Sequence, residues 1–502
     1  MASDYDRTRS AAGPADPNRR QLLRVGGLGA VAATTGLLSA GGAATEAAEH
    51  TPPGAGWPVS PLDDPSLPGV RFDVAAKPAN PGGVANTGLL VNGALPGPEL
   101  RLREGDRLHC VVNNRLSEPT GIHWHGLVLP ATMDGVPGVS RAPIPPGEPF
   151  VYEWRAVQSG TYWYHSHYQL QEQLGLSGPL IIEPRREPLA YDREYVIFLT
   201  DWSDRDPYRV LPSLRGADGE DAPGGAADAH DWPDGSPFEV DVTYPTFPLN
   251  GKAGPDLWRG LVRPGERVRL RIINASAQSF FRVMVDDHPM TVTHTDGYPV
   301  QHVTTDSLVV ATSERYDVLI EPKSSGAFAI RAAALGDVGG ALGILHTPDA
   351  APKVVRGVWP WGKRTLSYRQ LRSVVPSGFD AGDTRAHDVP LLGDMRNYVW
   401  KMHEAPYPDA PPLEVRQGER VRVTLRNKTP MFHPMHLHGH TFRLLVRGTD
   451  DAYAPLKDSF FVAPGETLAF EFLADNPGRW FFHCHNLFHL KAGMARELHF
   501  VA

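Results

Sequence analysis

Residues 464–485 read PGETLAFEFLADNPGRWFFHCH, and residues 146–167 read PGEPFVYEWRAVQSGTYWYHSH, so the two stretches align without a gap. A second motif occurs three times, and each copy leads into a hydrophobic strand rich in β-branched residues. Its copies are REGDR at 103–107, RPGER at 263–267 and RQGER at 416–420. Repetition of this kind indicates three copies of one structural unit.

Histidine pairs stand at equivalent positions in the first and third copies. Twenty residues after the first arginine of the motif lie HWHG at 123–126 and HLHG at 436–439. In the middle copy the positions equivalent to the histidine pairs hold no histidine, and they are Val283, Val285, Arg331 and Ala333. We therefore expect the outer domains to bind metal and the middle domain not to.

The composition and the repeats together predict an all-β protein. The 50 glycines and 48 prolines are spread between short, alternating apolar runs, as is typical of turn-rich β structure. The expected division of the chain is a leader at 1–48 and domains at 55–186, 187–350 and 366–502. Thr347 to Gly362 is expected to be a linker, and Arg215 to Phe238, rich in Gly, Asp and Ala, a surface loop of the second domain.

Charge and cysteine content narrow the function classes. A net charge of −8 gives no electrostatic case for binding nucleic acid. Of the two cysteines, Cys110 lies in the strand-like run RLHCVV and is expected to be a buried, inert core thiol. A disulfide is possible by number, but Cys484 has a better use as a metal ligand.

The N-terminal segment reads as a targeting signal that precedes the fold. Arg19 and Arg20 stand ahead of an apolar stretch from Val25 to Ala40, which resembles a twin-arginine signal. Cleavage is expected between about Ala43 and Ala48. The apolar stretch is too short for a comfortable membrane span, so no stable membrane insertion is expected after the signal is removed.

The run HCHNLFHLKAGM at 483–494 combines a thiolate, imidazoles and a thioether. Cys484, His489 and Met494 supply three ligands of a blue-copper site, in which a thiolate and two histidines bind copper with a weak axial methionine. His433 would complete that set. Because alternate strand residues face opposite ways, His483 and His485 would face away from Cys484 and bind other ions. Zinc is the competing metal, but a thiolate site joined to a multi-ion cluster favours redox chemistry.

Four H-x-H pairs occur along the chain, and each can point both imidazoles to one face of a strand. They are His123/His125, His165/His167, His436/His438 and His483/His485. A single pair could be a chance feature of a solvent-facing strand, but four pairs at repeat-equivalent positions favour metal binding. Eight histidines can hold three copper ions in a cluster shared between two domains.

These residues resemble the signatures of the three-domain multicopper oxidases, which are H-W-H-G, H-S-H, H-x-x-H-x-H and H-C-H-x-x-x-H-x-x-x-x-M. The match covers essentially the whole mature chain. The sequence LQEQ at 170–173 looks like the bacterial copper-resistance branch, and laccases share most of the motifs. The resemblance implies three cupredoxin-like Greek-key β-sandwiches.

The resemblance also implies four copper ions, with one type-1, one type-2 and a type-3 pair. The type-1 ligands would be His433, Cys484, His489 and Met494. The type-2 ligands would be His123 and His436. The type-3 ligands would be His125, His165 and His485 for one ion and His167, His438 and His483 for the other.

The implied reaction is the reduction of dioxygen to two waters by four one-electron oxidations, with Cys484, His483 and His485 carrying the electrons. Asp134 stands where relatives carry a proton-relay acid, although it could be an ordinary Asp-Gly turn residue. Relatives place a second acid near H-C-H-x-x-x-H, where this chain has none. Glu172 could replace it, and a solvated loop glutamate is the simpler interpretation.

Three functions remain open. The nine methionines form no cluster that would hold cuprous ion, which favours a laccase-like oxidase of phenolic or aromatic reductants. Cuprous-ion oxidation in copper resistance is the alternative within the enzyme class. A copper-free scaffold is the alternative from another class, and ten histidines with Cys484 argue against it.

Overall fold

The computed structural model describes residues 69–215, 229–353, 356–357, 359–379 and 384–501. The expected leader, with its twin-arginine signal and cleavage position, lies outside these residues. Most of the expected surface loop from Arg215 to Phe238 also lies outside them. Within the described residues the predicted all-β class is confirmed, because the structure consists of six β-sheets arranged as three pairs.

The first pair of sheets, called the first domain below, contains eight strands. They are β1 Val70–Ala79, β2 Asn86–Val91, β3 Leu100–Arg103, β4 Arg107–Asn114, β5 Ile122–His125, β6 Pro149–Arg155, β7 Gly160–Ser166 and β8 Ser177–Glu183. One sheet has the strand order β2-β1-β4-β6 and the other β3-β8-β7-β5. Cys110 is fully buried in β4, which confirms the expected core thiol.

The second pair, called the middle domain, contains ten strands. They are β9 Arg193–Leu199, β10 Trp258–Leu261, β11 Val268–Asn274, β12 Phe281–Val285, β13 Met290–Thr295, β14 Tyr298–Thr305, β15 Leu308–Val310, β16 Arg315–Ile320, β17 Ala327–Ala334 and β18 Gly340–His346. The strand orders are β10-β18-β17-β12-β15 and β14-β13-β16-β11-β9.

The third pair, called the third domain, contains eleven strands. They are β19 Thr384–Asp394, β20 Val399–Lys401, β21 Leu413–Val415, β22 Arg420–Asn427, β23 His433–Leu437, β24 Phe442–Leu445, β25 Leu456–Lys457, β26 Ser459–Val462, β27 Thr467–Leu473, β28 Arg479–Cys484 and β29 Ala495–Phe500. The strand orders are β20-β19-β22-β27-β24-β25 and β21-β29-β28-β23-β26.

In the part of the chain that the structure describes, two short α-helices interrupt the strands, α1 at Pro207–Leu214 and α2 at Leu487–Lys491. Single 3₁₀ turns lie at Pro81–Gly83, Ala131–Met133, Tyr368–Gln370 and Asp451–Tyr453. No helix among the described residues is both long enough and apolar enough to cross a membrane.

Alternation of apolar and polar residues produces the sandwiches. In β22 the side chains of Val421, Val423 and Leu425 are buried, and the residues between them are partly or fully exposed. Because successive strand residues point to opposite faces, such a strand covers a core with one face and meets solvent with the other. One hydrophobic core cluster extends through all three domains.

The repeat is visible in the pairing of equivalent strands. In the first domain β5 pairs with β7, and His123 stands opposite His165. In the third domain β23 pairs with β28, and His436 stands opposite His483. The middle domain keeps the same pairing between β12 and β17, but Val283 there is a buried core residue. Apolar residues therefore stand at three of the four equivalent positions in the middle domain, and the fourth, Arg331, pairs with Asp286.

A buried ion-pair network joins the first and middle domains. Asp317 in β16 accepts hydrogen bonds from Arg269 Nε at 3.0 Å and from Thr161 Oγ1 of β7 at 2.7 Å. Arg271 donates to the same Thr161 hydroxyl at 3.0 Å and lies 3.4 Å from Asp317. The charged groups of Asp317 and both arginines are almost fully buried, so each depends on the others for charge compensation.

Candidate metal centre

The structure brings the four histidine pairs together between the first and third domains, and all eight imidazoles are buried. The rings of His125 and His436 stack with centroids 3.7 Å apart, and those of His123 and His438 lie 3.9 Å apart. These contacts join residues that are about 300 positions apart in the chain.

Ring nitrogens without partners indicate where metal would bind. Among the eight histidines of the cluster, five ring nitrogens have no hydrogen-bond partner in the described chain, and they are His123 Nε2, His125 Nδ1, His165 Nε2, His436 Nε2 and His485 Nε2. The other three histidines converge instead, with His483 Nε2 lying 3.3 Å from His167 Nε2 and 3.0 Å from His438 Nε2. Because buried polar atoms are rarely left unpaired, this pattern fits metal ligands.

Burial sets the protonation state of the cluster. It lowers the pKa of seven of the eight imidazoles below the ordinary value of 6.5, and that of His483 to about 3; neighbouring histidines lower most of these pKa values further. A neutral imidazole is the form that binds metal, so these side chains are prepared as ligands.

The second nitrogen of several rings is fixed by a backbone carbonyl. His123 Nδ1 is 2.9 Å from the Asp134 carbonyl oxygen, His436 Nδ1 is 2.8 Å from that of Asp458, and His483 Nδ1 is 2.8 Å from that of Cys484. Such contacts set the tautomer and the ring orientation, which leaves the opposite nitrogen available to a metal.

Asp134 is both a turn residue and a neighbour of the cluster. It is fully buried, and its Oδ2 accepts a hydrogen bond from His438 Nδ1 at 3.0 Å. Gly135 follows with φ +84, and a Cβ atom there would lie 1.7 Å from the Ile122 carbonyl oxygen. Only glycine therefore permits the turn that holds Asp134 against the histidines.

The interpretation of Glu172 as a solvated loop residue is wrong. Its carboxylate is buried, with Oε2 2.8 Å from His165 Nδ1 and Oε1 3.8 Å from His485 Nδ1. The preceding Gln171 fixes the loop, because its side chain accepts hydrogen bonds from Ser166 and Thr120 at 2.8 and 2.7 Å. The loop folds inward, so Glu172 contacts His165 whereas Asp134 contacts His438.

A third acid beside the cluster, Asp458, was not predicted. Its Oδ1 lies 3.3 Å from His125 Nε2 and 3.6 Å from His436 Nδ1. Asp458 follows β25 directly and belongs to none of the repeated motifs. The one sequence signal was a Lys-Asp pair within an apolar strand region, which does not by itself indicate a site.

Cys484 lies in a separate group of ligands in the third domain. Its Sγ is 3.6 Å from His489 Nδ1 and 3.8 Å from His433 Nδ1, and the two nitrogens are 3.1 Å apart. Met494 is fully buried beside them, and its carbonyl oxygen accepts a hydrogen bond from the Cys484 N–H at 3.0 Å. Burial raises the pKa of the Cys484 thiol, so a bound cation is needed to hold the thiolate.

The two groups share one strand end, as the alternation of side chains predicts. His483 and Cys484 are adjacent, yet the imidazole lies in the eight-histidine cluster and the sulfur lies with His433 and His489. His485 continues the chain into the cluster, where its ring lies 5.1 Å from that of His125. The backbone around Cys484 is therefore a direct covalent link between the two groups.

A second unpredicted acid, Asp241, lies beside His489. Its Oδ2 is 2.8 Å from His489 Nε2 and accepts a hydrogen bond from the side chain of Asn486 at 3.3 Å. Asn486 is also the N-cap of α2, where its oxygen accepts hydrogen bonds from two backbone N–H groups. An acid could cap the helix equally well, but only an amide can also donate a hydrogen bond to Asp241.

Comparison with known proteins divides the chain at nearly the same places as the three pairs of sheets. Three family profiles, each described as multicopper oxidase, match residues 73–187, 193–349 and 383–500. The chain is 34% identical to Multicopper oxidase MmcO of Mycobacterium tuberculosis, over 96% of this chain and 98% of that protein. It is 32% identical to a copper resistance protein A homolog of Pseudomonas syringae pv. tomato, over 88% of this chain and 94% of the relative.

A solved structure gives a similar result. The laccase from Botrytis aclada superposes with a TM-score of 0.72 at 27% identity, over 86% of this chain and 87% of the laccase. The expected fold of three cupredoxin-like β-sandwiches is confirmed by this likeness together with the three pairs of sheets.

Proposed function

The chain belongs to the multicopper oxidase family, whose members are oxidoreductases that use oxygen, and we propose that it is laccase-like. In this proposal it couples four one-electron oxidations of a phenolic or other aromatic reductant to the reduction of dioxygen to two waters. The observation that carries the proposal is the convergence of unpartnered histidine nitrogens next to the group around Cys484.

The proposed ligands follow the family pattern and agree with the positions of the nitrogens. Four copper ions would be bound. His433, Cys484, His489 and Met494 would hold the type-1 ion. His123 and His436 would hold the type-2 ion. The type-3 pair would be held by His125, His165 and His485 on one side and by His167, His438 and His483 on the other.

Copper bound to these residues would supply the one-electron redox chemistry and the binding of dioxygen. The residues themselves provide the connection, because the Cys484 backbone joins the two groups through His483 and His485. They also exclude water, since all ten histidines and Cys484 are buried. A dry, preorganised ligand set needs little rearrangement when its charge changes.

Protons for water formation are proposed to come through Asp134 and Glu172. The Asp134 carboxylate would exchange a proton next to His438, and the Glu172 carboxylate would do so next to His165. Each acid lies within about 3 Å of a cluster histidine, which is the distance that proton transfer requires.

We assign Asp241 to the site where the reductant would give electrons to the type-1 ion. It is buried against His489 Nε2, whereas His489 Nδ1 faces Cys484, so in this proposal a reductant that reaches His489 meets this carboxylate first. A carboxylate can accept the proton that a phenol releases when it is oxidised. This contact favours phenolic reductants, while the copper resistance proteins among the relatives support cuprous ion as the alternative.

We also propose export by the twin-arginine route, to the periplasm, the cell envelope or the medium. The proposal rests on Arg19, Arg20 and the apolar stretch that follows them.

The decisive experiment is to load the purified protein with copper and record its absorption spectrum, copper content and oxygen uptake. We expect about four copper ions per chain, an intense blue thiolate band and a near-ultraviolet shoulder from the coupled pair. Oxygen uptake should be faster with phenols than with cuprous ion. Faster oxygen uptake with cuprous ion than with phenols would make cuprous ion the preferred reductant. The absence of both absorption bands would support a copper-free scaffold.

A further inference from the structure

A single arginine from the middle domain contacts all three domains at the edge of the histidine cluster. Arg315, at the start of β16, is fully buried. Its Nη1 and Nη2 donate to the two carboxylate oxygens of Asp458 in the third domain, each at 2.6 Å. Its Nε donates to the carbonyl oxygen of Thr161 in the first domain at 3.1 Å.

The Asp458 carboxylate in turn contacts the cluster on the side away from the metal. The nitrogens that face it are His125 Nε2 and His436 Nδ1, whereas the unpartnered nitrogens of these rings are His125 Nδ1 and His436 Nε2. In the ligand assignment proposed above, His125 and His436 bind different ions and come from different domains. The hydrogen-bond partners of these nitrogens lie in the same segment: Ser459 Oγ is 3.1 Å from His125 Nε2 and 3.2 Å from His436 Nδ1, and the Asp458 carbonyl oxygen is 2.8 Å from His436 Nδ1. Ser459 Oγ donates to the Asp458 carboxylate at 2.9 Å, so the Asp458–Ser459 segment that this carboxylate anchors fixes two ligands of two ions.

Further charged residues of the middle domain hold the same segment. Asp296 accepts hydrogen bonds from the backbone N–H groups of Asp458 and Ser459 at 3.3 and 3.1 Å. Lys457 is fully buried, 3.0 Å from both Asp296 and Glu314. Each of these buried charges depends on its partners, and removing one partner of a buried ion pair is strongly destabilising, so the network holds the segment in one position.

The glycine of the first-domain HWHG motif is explained by the same ion pair. Gly126 has φ +83, and a Cβ atom there would lie 2.5 Å from Asp458 Oδ2 and 2.6 Å from Arg315 Nη2. The histidine strand of the first domain thus leaves room for a guanidinium that the middle domain supplies.

We propose that Arg315 is a positioning residue of the histidine cluster: it holds the Asp458 carboxylate, and with it the Asp458–Ser459 segment that hydrogen-bonds His125 and His436. The domain without copper ligands thereby sets the geometry of the copper site. This inference rests on the proposed copper cluster. The test below distinguishes failure of the inference from failure of the proposed function.

The test compares Arg315→Gln with a matched control, Arg271→Gln. Arg271 is equally buried, lies on the neighbouring strand β11 and also binds Thr161, but it contacts Asp317 and Glu194 instead of Asp458. Copper retention is measured by competition with a chelator, the type-1 ion by the blue band, and the type-2 ion by electron paramagnetic resonance.

Arg315→Gln should retain cluster copper about 10- to 100-fold less tightly, as is usual when a residue that orients metal ligands is removed. Its type-2 resonance should be altered and its blue band kept. Arg271→Gln should keep the parent's copper affinity and resonance. The inference would be overturned if Arg315→Gln and Arg271→Gln had the same copper affinity and the same type-2 resonance as each other.

Arg315→Lys decides the question if Arg315→Gln does not fold. Lysine keeps the positive charge but cannot donate to both carboxylate oxygens in the same fork geometry, so an altered type-2 resonance is expected. An unaltered resonance would refute positioning by Arg315. The proposed function is tested separately on the parent protein. If the parent binds no copper in the histidine cluster and shows no type-2 resonance, the proposed function fails, whatever the variants do.

Discussion

Glu172→Gln tests the second proton relay directly. The carboxylate lies 2.8 Å from His165 Nδ1, so the amide oxygen of glutamine can still take the place of Oε2 beside that ring. The substitution keeps the volume of the side chain and removes its ability to carry a proton. We expect oxygen uptake at saturating reductant to fall by about 100-fold or more, because positioned proton transfer contributes about 10²- to 10⁴-fold.

The size of the rate decrease distinguishes the loss of a proton relay from a weaker hydrogen bond to His165. Replacing a charged hydrogen bond with a neutral one of the same geometry costs about 1 kcal/mol. At about 1.4 kcal/mol for each tenfold change in rate, that loss corresponds to roughly a fivefold decrease. A 100-fold decrease corresponds to about 2.7 kcal/mol, which orientation of His165 alone does not supply.

The assay combines oxygen uptake, copper content and rates in heavy water. Asp337→Asn is the matched control, because Asp337 is a buried carboxylate in the middle domain that accepts backbone hydrogen bonds from Tyr244 and Val338. Glu172→Gln should keep its copper and show a larger solvent isotope effect than the parent, whereas Asp337→Asn should keep its copper and show the parent's isotope effect. A Glu172→Gln rate within fivefold of the parent, at full copper content, would refute the relay.

Three further predictions follow from the geometry. Cys484→Ser should abolish oxygen uptake while the eight-histidine cluster still binds copper, and uptake at the parent rate would contradict the link through Cys484. Met494→Leu should raise the type-1 potential, and voltammetry that shows a fall or no change would reject axial coordination. Burial alone would raise the pKa of Asp317, but Arg269 and Arg271 lower it from 3.8 to about 2. The corresponding stability, about 2 kcal/mol, is present above pH 3.8 and is lost as the pH falls through about 2. Asp317→Asn should lack this stability at neutral pH, so the difference in unfolding free energy between parent and variant should shrink below pH 4; a constant difference down to pH 2 would contradict the ion pair.

The histidine cluster could be predicted because its information is local and repeated. Each pair is an H-x-H unit within or at the end of a strand, and gapless alignment of 146–167 with 464–485 places the pairs at equivalent positions. Strand alternation was sufficient to separate Cys484 from His483. The same alignment identified the middle copy as lacking histidines, and in the structure Val283 and Val285 fill its core.

The acids could not be predicted with the same success, because burial is a property of the assembled fold. The loop at 170–173 looks polar, and only its packing against the cluster shows that Glu172 is buried. Asp458 and Asp241 lie outside the repeats and meet their histidines across long sequence separations. Asp458 is 333 residues from His125. The alternation of residues along a strand gives no information about a contact between residues so far apart in the sequence.

Three buried carboxylates surround the cluster, and each lies between a histidine of the first domain and one of the third. The three are Asp134 between His123 and His438, Glu172 between His165 and His485, and Asp458 between His125 and His436. They differ in how many of their oxygens are held. Arg315 donates to both oxygens of Asp458, whereas within the described chain Asp134 Oδ1 and Glu172 Oε1 are buried without a hydrogen-bond partner.

A carboxylate held at both oxygens cannot turn to deliver a proton, and one with an unpartnered oxygen can. We therefore expect Asp458 to set geometry and the other two acids to supply protons. Asp458→Asn should alter the type-2 resonance with little change in the solvent isotope effect, and Glu172→Gln should show the opposite pattern. If both substitutions changed the isotope effect equally, the acids would share one role, and the ion pair with Arg315 would not distinguish them.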